Sequence, residues 1–167
     1  MDTGTYDATI REVTEISDGL SDYLPYVNRL IGNARSCDEL VTIVAHINVR
    51  LGESHTRLNQ INTKVIADVS AHQTSIAAQI AVLAPLMVSP TNLAELLTWA
   101  AAVTQVFIGP HDILVAQNVA LDVQLARVTD AIAPALASMA SAVVSLNSTV
   151  SSQQQLLGCG SVPTVVI

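Results

Sequence analysis

Four histidines and two cysteines are the side chains here that could hold a metal or start nucleophilic chemistry: His46, His55, His72, His111, Cys37 and Cys159. A metal site needs donors that converge on one point. His46 and His55 are nine residues apart, which puts them well apart around a helix, so they cannot share a metal there. The cysteines form no Cys-x-x-Cys or Cys/His pattern. No HExxH, GxSxG, P-loop or paired-carboxylate motif appears, and Gly-rich phosphate cradles are absent. The residues nominate no catalytic, cofactor-binding or metal site, and the expectation is a protein that is not an enzyme.

The elements that carry these residues are legible from periodicity. In LNQINTKVIADVSAHQTSIAAQIAVLAPLM, residues 58–87, the apolar positions are Leu58, Ile61, Val65, Val69, Ile76, Ile80, Leu83 and Met87. His72 stands in the same series. Upstream, Val44, Ile47, Leu51, Ser54 and Leu58 keep the three-four alternation of a heptad. Beyond Val65 the beat lengthens to eleven residues, which straightens a supercoil. A second stripe comprises Leu114, Asn118, Leu121, Leu125, Val128, Ile132, Leu136, Met139, Val143, Leu146, Val150, Gln153 and Leu157. Polar members (Ser54, His72, Asn118, Gln153) would fix register at some cost in stability. For His72 two readings stand: a pH-sensitive layer among symmetry mates, or a ring at the seam edge turned to water.

Boundary signals divide the chain. A first helix runs from about Thr5 to Leu24, with Ile10, Val13, Leu20 and Leu24 on one side and Pro25 as its break or kink. Gly32-Asn33 is a stop, and Ser36-Cys-Asp-Glu39 is a capping box opening a helix to about Val88. Such a helix would be on the order of 70 Å long, more stripe than a small globular domain buries. Ser89-Pro90 caps a short helix carrying Leu93, Leu96, Ala100, Val103 and Phe107. Gly109-Pro110 interrupts, Asp112 suits the next N-terminus, Pro134 bends the last helix, and Gly158-Cys-Gly160 ends it. The stripe stays in phase across the interruption through Phe107, Pro110 and Leu114. That favours an interrupted parallel stalk over a hairpin.

Composition narrows the class. The 167 residues are 50% hydrophobic but 3% aromatic, with formal charge −7 and a single lysine, Lys64. Cores poor in aromatics pack helix on helix, and no basic face is offered to nucleic acid. The acidic start, MDTGTYDATIREV, is no targeting signal. No run reaches the roughly 20 apolar residues of a membrane span. Between Asp68 and Asp112, however, Glu95 is the only charge, which would permit a membrane-dipping hairpin. Charge gathers in the N-terminal region together with Tyr6, Tyr23 and Tyr26, residue types that interfaces favour. Residues 1–35 are thus expected to dock a partner, 36–157 to form the coiled coil, and 158–167 to begin a β-structured shaft or tail. The fold class expected is all-α, in long helices.

MASAVVSLNSTVSSQQQLL, Met139 to Leu157, resembles the coiled-coil stalks of viral fibres, above all the reovirus cell-attachment proteins. Those stalks are lysine-poor, rich in Ser, Thr, Gln and Val, and lead into a β-structured shaft, where VPTVVI stands here. The resemblance implies a structural fibre stalk on the virion surface. It implies a homotrimer, held to a capsid turret protein by the N-terminal region, with the receptor-binding head outside this chain. The oligomer seam would be Val44, Ile47, Leu51, Leu58, Ile61, Val65, Val69, His72, Ile76, Ile80, Leu83, Leu121, Leu125, Val128, Ile132, Leu136, Met139, Val143, Leu146 and Val150. The alternatives are a membrane-active, pore-forming-like protein with an apolar hairpin at 76–108, or a helical-bundle adaptor, either of them cytoplasmic or membrane-associated. The cysteines discriminate. An antiparallel hairpin of 36–88 and 91–157 would bring Cys37 and Cys159 to one end, within the roughly 4.4–6.8 Å that a disulfide spans between Cα atoms. A parallel stalk separates them, so the stalk predicts two free thiols and no Cys37–Cys159 bond.

Overall fold

The computed structural model describes residues 3–84, 92–103 and 109–167. Its helices are α1 (Thr3–Asn33), α2 (Cys37–Leu83), α3 (Leu93–Ala102) and α4 (Gly109–Leu157). No strand occurs among the described residues, so the all-α expectation holds. The chain forms two compact units, one of residues 1–63 and 128–167 and the other of residues 64–127.

Local signals set the helix ends. At the start of α2 the Glu39 N–H donates to Ser36 Oγ at 3.2 Å, and the Glu39 carboxylate accepts from the Arg35 N–H at 2.8 Å. The box forms as expected, but the glutamate reaches one residue further back than the Ser36 amide. Helix α3 is capped by Asn92, whose side-chain oxygen accepts from the Glu95 N–H at 2.9 Å. The Ser89-Pro90 cap expected from sequence lies outside the described residues. Helix α4 starts at Gly109 with Pro110 inside its first turn, a position that tolerates proline because its missing N–H would be unpaired anyway. It closes with Gly158 at φ 68. The Gly158 N–H donates to the Gln155 carbonyl and the Cys159 N–H to the Gln154 carbonyl, at 3.2 and 3.0 Å. This is the Schellman arrangement.

Pro25 does not end α1, which continues to Asn33. Leu20, Val27 and Ile31 are all buried on either side of it, and that packing outweighs the roughly 3 kcal/mol a mid-helix proline costs. Pro134 likewise lies inside α4, next to buried Ile132 and Ala135.

The first unit is a three-helix arrangement of α1, the start of α2 and the end of α4. Thr149 Oγ1 donates to Asn28 Oδ1 at 3.0 Å, and Gln153 Nε2 donates to the Ala34 carbonyl at 2.8 Å. Positions rise together in these two pairs, so α1 and α4 run parallel. Arg57 pairs with Glu12, which sets α1 and α2 antiparallel. Val13, Val27, Ile31, Leu40, Val44, Ile47, Leu51, Leu58, Val128, Met139 and Leu146 fill the core between them. In the second unit Val65, Val69, Ile76, Leu114 and Leu121 are buried, and Gln73 Nε2 donates to Asp122 Oδ1 at 2.7 Å.

Cys37 and Cys159 are joined by a disulfide, with 5.7 Å between Cα atoms and a sequence separation of 122. The expectation of two free thiols is therefore corrected. Helix α4 returns antiparallel to α2 in this unit, so the first residue of α2 and the second residue beyond α4 share one end. Residues 158–167 form no strand. They fold back instead, and the Val165 side chain is buried.

Candidate functional site

The first half of α4 mixes exposed valines and alanines with exposed Asp112, Gln117, Asp122 and Arg127. Leu114 and Leu121 turn into the second unit. On the opposite side Val115, Val119 and Val123 are 41%, 56% and 53% exposed. Steps of four residues keep these valines in one row, and the exposed Ala116, Ala120 and Ala126 extend the row's flanks. A helix facing water normally carries charged or polar side chains on that side. Along α2 no charged residue follows Asp68, and its exposed positions there include Ala71, Ala77, Ala78, Ala81 and Val82. The whole of residues 64–127 holds Lys64 and Arg127 against Asp68, Glu95, Asp112 and Asp122, so two cations less four anions leave −2.

In the first unit a groove follows the α1–α2 contact. Its upper part is a depression of about 260 Å³ lined by Tyr23, Tyr26, Val27, Leu30, Thr42, Ile43, His46 and Ile47. Burial pushes the Tyr23 hydroxyl above the ordinary tyrosine range; the Arg50 cation opposes that rise and Tyr26 adds to it. The lower part, about 340 Å³, is polar, with Glu12, Glu15, Arg50, Glu53 and Arg57 around Ile16, Gly19 and Leu20. Arg57 Nε donates to Glu12 Oε1 at 2.6 Å across it.

The residues singled out from sequence distribute as follows. Tyr23 and Tyr26 line the groove, whereas Tyr6 is buried and offers nothing to a partner. Of the stripe, Val44, Ile47, Leu51, Leu58, Ile61, Val128, Ile132, Met139, Leu146 and Val150 are buried in the first unit, and Val65, Val69, Ile76 and Leu121 in the second. Ile80, Leu83, Leu125, Leu136 and Val143 are half-buried. The covering comes from the chain's own helices. His72 is exposed, with Nδ1 2.7 Å from the Asp68 carbonyl oxygen of its own helix, which is the water-facing alternative. Gln153 does act across helices, through its bond to Ala34, while Ser54 lines the groove.

The valine row falls outside the expected stripe, Val115 and Val119 one place beyond Leu114 and Asn118, and Val123 two places beyond Leu121. The signal was available: once Leu114, Asn118 and Leu121 are set aside, the remaining positions are still mostly Val and Ala. Among the described residues no group of three or more His, Cys, Asp or Glu is placed to hold a metal ion. No family model matches this sequence, and no curated protein or solved structure matches it either.

Proposed function

We propose that this chain is a disulfide-stapled helical bundle that binds apolar surfaces, and that its ligand is the interface of a lipid bilayer. The outward row of Val115, Val119 and Val123 carries this reading. An uncovered aliphatic face on a helix with few charges is a surface that gains by leaving water. Three half-exposed valines bring on the order of 2 kcal/mol when covered, so the association is weak and reversible unless neighbouring apolar residues join. With −2 on residues 64–127, attraction to anionic lipid plays no part.

A homotrimeric fibre stalk on a virion is the competing reading. It requires Cys37 and Cys159 at opposite ends, and their bond within one chain favours the folded-back arrangement. A disulfide also suits an oxidising compartment rather than the cytosol. Docking of a protein partner in the α1–α2 groove is a compatible second activity, supported by Tyr23 and Tyr26 on its wall.

Flotation with neutral phosphatidylcholine vesicles tests the bilayer reading. The wild-type chain is expected to float in a salt-independent manner, and a Val115→Ser, Val119→Ser, Val123→Ser variant is expected to stay below. Dye release from the same vesicles separates insertion from surface binding. A wild-type chain that stays below at every lipid concentration removes the proposal.

A further inference from the structure

The segment after α4 is held in an unusual way. Asn48 of α2 donates through Nδ2 to the Thr164 carbonyl at 3.0 Å and accepts from the Val166 N–H at 2.9 Å. Asn147 of α4 donates through Nδ2 to the Val165 carbonyl at 2.9 Å and accepts from the Val165 N–H at 2.7 Å. Along an extended chain the N–H and C=O of one residue point to one edge, and those of its neighbours to the other. Val165 therefore offers one edge to Asn147, while Thr164 and Val166 offer the opposite edge to Asn48. The two amides stand where flanking strands would stand in a sheet.

Side-chain recognition is confined to one position. Val165 is 1% exposed, whereas Val166 and Ile167 are 55% and 44% exposed, and Pro163 and Thr164 are exposed as well. Strand-addition sites share this division of labour, with backbone bonds supplying affinity and a side-chain pocket supplying selection. The occupant is tethered through Cys159 to the start of α2, and a short tether of this kind gives an effective concentration of order millimolar.

We propose that the Asn48–Asn147 groove is a receptor for an extended peptide with a β-branched apolar residue at its centre. The chain fills it with its own Thr164–Val166, and a peptide supplied in trans enters when that segment is displaced. The groove tolerates changes on either side of the central residue, because nothing there but backbone is gripped. This site is separate from the valine row and independent of the bilayer proposal.

The test uses the full chain carrying Val165→Asp, which expels its own segment, and a fluorescent peptide of residues 160–167. Fluorescence anisotropy should show this variant binding the peptide at least tenfold more tightly than the wild-type chain does. Adding Asn147→Leu or Asn48→Leu should abolish that gain, and a peptide carrying Val165→Asp should not bind. Circular dichroism and the absence of titratable thiols show that the variants are folded. Equal binding to wild type and variant, or binding to neither, overturns the proposal. A measurement on the unaltered chain decides the matter if the variant does not fold. Amide hydrogens of Val165 and Val166 should exchange faster than those of Leu146 and Val150, since the segment leaves without the bundle opening. Exchange at the same rate overturns the proposal.

Discussion

Cys37 and Cys159, bonded to each other at a sequence separation of 122, each follow directly on a helix-end device. Cys37 comes next after Ser36, the cap of α2. Cys159 follows Gly158, the left-handed residue that closes α4. The bond thus joins two helix ends that are already fixed locally, and it holds α2 and α4 antiparallel in the first unit.

The bond should contribute substantially to stability. By the loop-closure relation, tying off a loop of this length restricts the unfolded chain by about 5 kcal/mol, and losses of roughly 2–5 kcal/mol are typical when a native bridge is removed. A Cys37→Ser, Cys159→Ser variant should lose an amount in that range in guanidinium titration. The untreated wild type should show no thiol that alkylates under denaturing, non-reducing conditions.

Gly158 should resist substitution although space surrounds it. A Cβ added there meets nothing within 4 Å, so any effect must come from the backbone, at φ 68. An L residue in that conformation costs about 1–2 kcal/mol. Gly158→Ala should therefore lower stability by about 1 kcal/mol, and Gly158→Asn by less, because asparagine tolerates the left-handed region. Equal losses for both would place the effect elsewhere.

Much of this was readable from sequence, and the failures have physical causes. The Ser36–Glu39 box and the Gly158 stop act within a few residues, so local pattern revealed them. The stripe from Val44 to Val150 was visible as well, but spacing states only that helices cover it and not whose. A seam closed by the same chain has the same period as one closed by a symmetry mate. Phase continuity across Gly109-Pro110 then pointed to a parallel stalk, although α4 begins at Gly109 itself. The β-branched composition of Val162–Ile167 was legible, but the segment forms no strand. Its partners were not legible, because Asn48 and Asn147 are side chains within helices and show no strand pattern.

The distinction between self-covered and shared seams can be measured at Leu51, which is fully buried in the first unit. Leu51→Ala should cost about 2–5 kcal/mol through lost transfer energy and the cavity left behind. Sedimentation should give the same single-chain mass for wild type and variant. A trimer mass for wild type that the substitution dissociates would return the seam to an intermolecular role.

Tyr23 supplies a pH dependence whose sign follows from its surroundings. Desolvation raises its pKa above the ordinary value of 10.0, against the pull of Arg50. The folded chain therefore holds the phenol proton more tightly than the unfolded chain does. The resulting stabilisation is complete below the unfolded pKa and is lost as pH rises through the folded one. Denaturant midpoints should fall between about pH 9 and pH 11 for the wild type. The comparison that isolates Tyr23 is with Tyr23→Phe, which should fall less steeply over the same interval. Parallel curves for the two proteins would mean that the half-buried wall of the α1–α2 groove does not hold a neutral phenol.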